Sequence, residues 1–387
     1  MRFEFATATR IVFGPGTFAE VPAIVAGLGR RVLVVTGARP EPARPLESAL
    51  AAAGCAAVRF SVAREPDLAV IEAGVALART ERCDAVVALG GGSVIDAGKA
   101  IAGLATNAGA VLDYLEVVGR GQALVQAALP FVAVPTTAGT GAEVTRNAVI
   151  GVPAQRVKVS LRSPGLLPRV ALVDPDLALG LTPALTASTG LDALTQLIEP
   201  YVSARANPLT DALCREAIPR AARALPRACA QGDDRSAREE MAWAALASGL
   251  ALANAGLGVV HGCAGVLGGS FDAPHGAVCA ALLAPGMRTN LSALRARAPQ
   301  HPALGRYDDV ARLLTGRPDA QADDGAAWLD ALVARLGVPA LSHYGLVAAE
   351  IPGVVEKARR ASSMKANPIE LNADELTEVL RQAAQGG

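Results

Sequence analysis

Short runs of β-branched and aliphatic residues alternate with longer stretches of helical spacing through the first half of the chain. The runs lie at Arg31–Thr36, Asp84–Leu89, Phe131–Val134 and Val170–Val173. Between several of them lie alanine- and leucine-rich stretches, such as Glu41–Ala53 and Leu68–Thr80, with apolar residues at helical spacing. Strands and helices that alternate in this way predict a mostly parallel sheet wrapped by helices.

The pattern changes near Thr182, where the strand signals stop. Thr182-Pro183 is typical of a helix N-cap followed by proline at the first helical position, and helical periodicity then continues to the end of the chain. We therefore predict an α/β domain over residues 1–181 and an all-helical domain over residues 182–387, with a site in the cleft between them. The most loop-like stretch of the second half is Pro299–Pro318.

Composition excludes several classes of protein. The 387 residues are 51% hydrophobic, which is enough for a sizeable core, and 36 basic residues balance 36 acidic ones. This balance, with only 3% aromatic residues, argues against a nucleic-acid partner. The apolar run Trp243–Val260 is broken by Ser248, Asn254 and three glycines, which favours a buried helix over a membrane span. The N-terminus lacks the apolar core of a signal peptide, so we expect a cytoplasmic protein.

The six cysteines are scattered and include no C-x-x-C pair. This arrangement favours reduced, buried thiols over a disulfide framework or a structural zinc site.

A glycine-rich turn follows one of the predicted strands. Asp84–Leu89 leads directly into Gly90-Gly91-Gly92-Ser93, and Val94–Leu104 has the pattern of a helix. Glycines let the backbone approach an anion, and the free amides at a helix start point towards it, so this order predicts a phosphate-binding site. A tight turn that needs positive φ is the alternative.

A second polar loop follows the strand at Phe131–Val134. Its sequence, Pro135-Thr136-Thr137-Ala138-Gly139-Thr140-Gly141, offers small hydroxyl groups suited to a phosphate or a nicotinamide, although an ordinary loop can have the same composition. Two such loops at the carboxyl ends of strands match the position of ligands in open α/β sheets.

Candidate metal ligands lie in the helical half. His261 and His275 are fourteen residues apart in a glycine-rich, apolar stretch, and Asp192 lies inside an apolar helix upstream. A buried carboxylate needs a partner. One carboxylate and two imidazoles would leave a coordination position open on a catalytic divalent metal. The alternative is that the histidines are hydrogen-bonded core residues.

Taken together, these strings resemble the iron-containing alcohol dehydrogenase family, which shares the dehydroquinate synthase-like fold. The resemblance covers nearly the whole chain, through Phe13-Gly14-Pro15-Gly16, GGGSVIDAGKA, PTTAGTGAEVT, VDPDL, TGLDALTQLIEPYVS, HGCAGVLGGSFDAPHG and Asn367-Pro368. It implies that the α/β domain binds a nicotinamide dinucleotide and that the helical domain holds the metal and the substrate.

The resemblance also implies roles for individual residues. Those expected at the pyrophosphate and ribose are Gly91, Gly92, Ser93 and Asp96. Those expected at phosphate and nicotinamide are Thr136, Thr137, Thr140 and Val149, with Lys158 near a ribose. Asp192, His261 and His275 match three of the family's four metal ligands and are the expected catalytic centre.

Two departures from the family pattern affect the metal. Gln196 stands where iron-dependent members have a histidine, and Gly265 stands where a histidine near the substrate is common. A neutral amide is a poorer ligand than imidazole, so Gln196 is at most a weak fourth ligand and the case for iron is reduced. We expect a three-ligand site for zinc, or for iron or another divalent ion. A site without metal, as in some maleylacetate reductases, is the alternative.

A third departure concerns the nucleotide. NAD-preferring relatives have an acid after the threonine of the second strand, whereas here Thr36 is followed by Gly37, with Arg39 two positions on. Without the acid, a 2′-phosphate has space, and Arg39 can bind it. We expect NADP(H) to be accepted alongside NAD(H); the alternative is a plain loop.

The resulting hypothesis is an NAD(P)-dependent alcohol dehydrogenase or aldehyde reductase that transfers hydride to and from a small carbonyl, with a divalent metal as Lewis acid. Asn147, Gln196 and Phe271 are expected to border the substrate. The alternatives are a metal-free reductase of the maleylacetate type, a lyase that uses NAD within one turnover, and a dinucleotide-binding protein that is not an enzyme. We expect a homodimer or larger homo-oligomer.

Overall fold

The computed structural model describes residues 2–39, 41–271 and 273–385. Internal contacts divide the chain into two units. The helical unit comprises residues 1–5, 138–140 and 179–387, and the α/β unit comprises residues 6–137 and 141–178.

A six-stranded parallel sheet forms the centre of the α/β unit. Its strands are β1 (Arg10–Phe13), β2 (Arg31–Gly37), β3 (Ala56–Val62), β4 (Ala85–Gly90), β5 (Phe131–Pro135) and β8 (Val170–Val173). They lie in the order β1-β8-β5-β4-β2-β3. The four strands predicted from sequence form the middle of this sheet, and the two that the pattern missed form its edges. Edge strands are half-exposed, so β1 and β3 lack the continuous apolar run that marks a buried strand.

Helices cover both faces of the sheet in this unit. They are α1 (Val21–Ala26), α2 (Arg44–Ala52), α3 (Leu68–Thr80) and α4 (Gly92–Ala105). The prediction for α3 is confirmed, and the Asp67 side chain caps it by accepting from the Val70 amide at 3.0 Å. The helix predicted at Glu41–Ala53 begins as a 3-10 turn at Glu41–Ala43. Alternate residues of the strands enter two separate cores, one on each face of the sheet.

The prediction of a parallel sheet omitted an antiparallel ribbon. Strands β6 (Asn147–Val152) and β7 (Val157–Arg162) pair with each other in a sheet of their own, with Val149 opposite Ser160 and Gly151 opposite Lys158. Their alternating exposed and buried residues are typical of a ribbon covered on one face.

The helical unit contains α5 (Pro183–Val202), α6 (Pro208–Ala230), α7 (Arg235–Ala255), α8 (Val259–Ser270), α9 (His275–Arg297), α10 (Ala303–Thr315), α11 (Ala322–Arg335), α12 (Ile351–Ala358) and α13 (Ala373–Gln385). The predicted cap is present, because the Thr182 hydroxyl accepts from the Leu185 amide at 3.3 Å. The apolar run predicted as one helix is divided between α7 and α8. The prediction of a loop at Pro299–Pro318 is wrong, because this stretch contains α10. Its proline and glycine mark the ends of that helix: Pro302 is the N-cap residue, and Gly316 ends the helix with φ of 69°.

Short 3-10 helices lie at Thr17–Glu20, Glu41–Ala43, Val111–Tyr114, Ala142–Val144, Pro153–Gln155, Pro164–Leu166, Pro175–Ala178, Leu341–Tyr344, Ala348–Glu350 and Ser362–Ala366. Within the described ranges, no single helix has both the length and the apolar character needed to cross a membrane. Helices α7 and α8 meet these criteria only as a pair bent by 101°.

Candidate nucleotide site and metal centre

The glycine turn of the α/β unit joins β4 to α4. Gly90 ends the strand, Gly91 is the N-cap residue with φ of −75°, and the helix begins at Gly92, two residues before the predicted start. None of the three glycines has positive φ, so the turn does not need them for backbone strain. A Cβ atom on Gly90 would lie 2.6 Å from the Val94 side chain, so this glycine permits close packing of strand and helix. The amides of Gly92 and Ser93 thus lie in the first turn of a helix, where an anion binds.

The threonine loop lies against this turn. The Thr136 amide donates to the Gly90 carbonyl at 3.0 Å, and a Cβ atom on Gly91 would be 3.4 Å from the Thr137 side chain. Thr136 and Thr137 belong to the α/β unit, whereas Thr140 belongs to the helical unit. Gly91 and the first two threonines therefore form one surface at the carboxyl edge of the sheet.

A buried ion pair lies one turn into α4. The Lys99 ammonium is 3.1 Å from the Asp96 carboxylate and donates to the Ala142 carbonyl and the Thr145 hydroxyl, each at 2.9 Å. It also donates to the backbone carbonyl of Asn147. Burial lowers the pKa of Lys99 against the opposing effect of Asp96. The cation therefore stabilises the segment that leads into β6.

Asp96 and Val149 are also brought together. The second Asp96 oxygen accepts from the Val149 amide at 3.1 Å, and the Val149 side chain is 36% exposed.

Glu143 is buried nearby, and burial raises its pKa to about 7, although its own backbone amide and Lys99 act in the opposite direction.

The other predicted nucleotide residues are more dispersed within the α/β unit. Gly37 ends β2 beside the carboxyl end of β4, and a Cβ atom there would meet no heavy atom within 4 Å. Arg39 is exposed. Lys158 lies on β7 and forms an ion pair with Glu65.

Three helices bring the predicted metal ligands together in the helical unit. Asp192 lies on α5, His261 on α8 and His275 at the first position of α9. The Asp192 Oδ1 atom is 3.4 Å from His261 Nε2 and 3.8 Å from His275 Nε2. Cys279, one turn further along α9, completes a cluster whose four donor atoms all lie within 4.8 Å of one another.

The cluster fits a cation. Asp192 is buried, and its Oδ1 atom has no hydrogen-bond partner among the described residues. On the far side of His261, Nδ1 is 2.6 Å from the Glu199 carboxylate and donates to it, so Nε2 is the ring nitrogen that faces the cluster. Lone pairs of oxygen, nitrogen and sulfur that converge on one point are the donor set of a divalent metal.

The donors of the cluster interact strongly with one another. Burial alone would raise the pKa of the Cys279 thiol, but the imidazoles of His275 and His261 lower it. The Cys279 charge in turn raises the pKa of His275 to about 9. His275 is one-third exposed, so the cluster reaches the surface on that side.

Gln196 and Phe271, the predicted substrate residues of this unit, differ in position. Gln196 is buried one turn after Asp192, and its Oε1 atom accepts from the Ser248 hydroxyl at 3.2 Å. Phe271 is half-buried at the end of α8. A Cβ atom on Gly265 would meet no heavy atom within 4 Å, so the space beside this position is open.

Sequence reasoning missed one residue of the cluster, Cys279, and one residue beside it, Glu199. Cys279 follows His275 by four positions, and Glu199 follows Asp192 by seven, so each shares a helix face with a predicted ligand. Helical spacing could have identified both. The prediction of unpaired, mostly buried cysteines is confirmed, because all six are free and five are buried.

A parallel sheet with a glycine turn at its carboxyl edge, together with a helical unit that carries a carboxylate, imidazole and thiol cluster, defines a class of nicotinamide-dependent oxidoreductases. Two family models match the chain: "Iron-containing alcohol dehydrogenase" over residues 8–175, and "Fe-containing alcohol dehydrogenase family, C-terminal" over residues 186–384. The chain belongs to the iron-containing alcohol dehydrogenase family and is an oxidoreductase that acts on CH–OH groups.

Individual relatives agree with this assignment. The chain is 40% identical over 316 residues to 1,3-propanediol dehydrogenase of Klebsiella pneumoniae. The matched region covers 80% of this chain and 78% of the relative. A crystal structure of 1,3-propanediol oxidoreductase matches with a TM-score of 0.89 at 35% identity, over 99% of this chain and 100% of the other. Sulfoacetaldehyde reductase from Bifidobacterium kashiwanohense, solved in complex with NAD+, matches with a TM-score of 0.85 at 30% identity, over 99% of each chain. The predicted family, fold class and enzyme class are confirmed.

Proposed function

We propose that this protein catalyses reversible hydride transfer between the nicotinamide of NAD(P)(H) and a small alcohol or aldehyde, in a reaction that depends on a divalent metal. One observation carries the proposal: the unpartnered Asp192 Oδ1 atom faces the Nε2 atoms of His261 and His275 in a buried cluster. A buried carboxylate oxygen without a donor is costly, and a bound cation removes that cost.

The metal would be held by Asp192, His261 and His275. When bound, it supplies a Lewis acid that polarises the carbonyl or stabilises the alkoxide. Glu199 holds the His261 ring with its Nε2 atom towards the cluster, and its other oxygen accepts from the Val260 amide at 2.7 Å. The exposed side of His275 provides access for substrate.

The nucleotide would bind at the carboxyl edge of the sheet. We assign Gly91, Gly92, Ser93, Asp96, Thr136 and Thr137 to its pyrophosphate and ribose, Thr140 and Val149 to the nicotinamide, and Lys158 to a ribose. The contact between the glycine turn and the threonine loop supports the first group. The open space at Gly37 and the nearby cation of Arg39 favour acceptance of the 2′-phosphate of NADP(H).

We assign Asn147, Gln196 and Phe271 to the substrate pocket, and the names of the relatives suggest a short alcohol such as 1,3-propanediol.

We further propose a homodimer or larger homo-oligomer, which light scattering would test. The six free cysteines suit a reducing compartment, and the cytoplasm is our proposed location.

The test is metal removal and reconstitution. Protein stripped with a chelator should lose oxidation of 1,3-propanediol with NAD+ or NADP+, and zinc, iron(II) or cobalt(II) should restore it. Asp192→Asn, which keeps the shape but removes the charge, should bind less metal and should not be restored. If the stripped enzyme retained full activity, the metal-free reductase would be the correct alternative.

A further inference from the structure

We propose that Cys279 is the fourth protein ligand of the metal held by Asp192, His261 and His275. The inference rests on the metal dependence proposed above and adds a thiolate to that site. It assigns the fourth protein position to a cysteine of α9.

Four separations within the cluster lie within about 0.5 Å of those expected around a single tetrahedral ion. The Cys279 Sγ atom lies 3.6 Å from His275 Nε2 and 3.8 Å from His261 Nε2. Zinc bonds of about 2.0 to 2.1 Å to nitrogen and oxygen and about 2.3 Å to sulfur would separate nitrogen from sulfur by roughly 3.6 Å in a tetrahedron. They would separate nitrogen from oxygen by roughly 3.3 Å. The separations from Asp192 Oδ1 to His261 Nε2 and His275 Nε2 are 3.4 Å and 3.8 Å.

The local structure holds the thiol in position. His275 and Cys279 are one helical turn apart at the start of α9, so they lie on the same helix face. Cys279 is fully buried, as free cysteines that pack in an apolar core often are. Unlike them, its sulfur faces two ring nitrogens. Cys263 of α8 is equally buried and is not a member of the cluster.

Gln196 is engaged elsewhere. Its amide oxygen, the atom that would bind a metal, accepts from the Ser248 hydroxyl at 3.2 Å. A set of one carboxylate, two imidazoles and one thiolate is softer than a set with three imidazoles, which favours zinc over iron(II).

Cobalt(II) substitution tests the inference, because a thiolate ligand gives cobalt a near-ultraviolet charge-transfer band. The wild-type protein should bind one cobalt per chain and show this band. Cys279→Ser should lose the band and bind zinc at least about tenfold more weakly in a chelator competition. Cys263→Ser, the matched control, should keep both the band and the affinity.

The outcomes separate this inference from the proposed function. Wild-type protein that binds cobalt without the band, or a Cys279→Ser variant that keeps it, would overturn ligation by Cys279 while metal dependence stands. Failure of the wild type to bind any metal would overturn both. X-ray absorption at the zinc edge of the wild type needs no variant, and it should show one sulfur neighbour at about 2.3 Å.

Discussion

The imidazole of His261 lies between two carboxylates that contact different ring nitrogens. Glu199 contacts Nδ1 at 2.6 Å, and Asp192 lies 3.4 Å from Nε2. The short contact to Glu199 places a proton on Nδ1 and leaves Nε2 as the ring nitrogen that faces the cluster. The role of this residue is therefore set by a neighbour that binds no metal in our proposal.

Glu199→Gln tests that dependence. The amide keeps the size of the side chain but removes the charge that orients the His261 ring, so metal affinity should fall about tenfold. Competition with a chromogenic chelator measures the change. Glu356→Gln, on the exposed surface of α12, is the control. Equal affinities in the two variants would show that Glu199 does not position His261.

Gly37 should influence the choice of nucleotide. The open space at this position accommodates an aspartate side chain, whose carboxylate would repel a 2′-phosphate and accept from a 2′-hydroxyl. Gly37→Asp should weaken the binding of NADPH relative to that of NADH by at least about tenfold, as measured by fluorescence titration. Gly37→Asn, which has the same size without the charge, should change the ratio less. If Gly37→Asp left the ratio of the two affinities unchanged, Gly37 would not lie beside the 2′ position of the nucleotide.

Buried Glu143 should make stability depend on pH. Its pKa of about 7 in the folded protein exceeds the ordinary 4.5, so its contribution to stability is complete below about pH 4.5 and is lost as pH rises through about 7. Glu143→Gln cannot ionise. The unfolding free energy of the variant relative to wild type should therefore rise by roughly 2 to 3 kcal/mol between about pH 5 and about pH 8. Parallel urea-unfolding profiles for the two proteins would contradict this.

Helix α5 carries Asp192 and packs closely against α6 and α7. A Cβ atom on Gly190 would lie 2.3 Å from Leu225 of α6 and 3.1 Å from Met241 of α7. Glycine lowers helix propensity by about 1 kcal/mol relative to alanine. The close approach of the helices therefore favours glycine at this position despite its low helix propensity.

Paired glycine substitutions test this balance. Gly190→Ala should destabilise the protein by about 1 to 3 kcal/mol, because the added methyl group overpacks the contact with α6. Gly305→Ala, at an exposed position of α10 with no heavy atom within 4 Å of the new methyl group, should be stabilising by up to about 1 kcal/mol. Urea denaturation gives both values. A stabilised Gly190→Ala variant would show that α5 can move away at little cost.

Individual elements were predictable where their signal is local. The buried strands β2, β4, β5 and β8 and the helix α3 each follow from a run of neighbouring residues. The edge strands and the β6–β7 ribbon were not predictable in this way, because their burial depends on what packs against one face. The loop prediction around α10 failed because proline and glycine also mark the ends of a helix.

At the scale of the whole molecule, the proposed metal would link α5 to α8 and α9, which follow it in sequence after α6 and α7. A ligand that binds only the folded state stabilises it by about 2.7 kcal/mol when its concentration is a hundredfold above Kd. Chelation should therefore lower the melting temperature by roughly 5 to 10 °C in calorimetry. His261→Ala, which lacks one ligand, should show little change on chelation. Equal shifts in both proteins would mean that the chelator acts elsewhere.

The sequence by itself determined the fold class, the family and three of the four clustered donors. These follow from short strings, such as the glycine turn with Asp96 and the helix with Asp192, in which adjacent residues carry the signal. Only the tertiary structure decided that Cys279 joins the donors, that Glu199 orients His261 and that Gln196 turns towards Ser248. The physical reason is that helical spacing indicates which residues share a helix face, whereas donor geometry depends on how the faces of α5, α8 and α9 pack together.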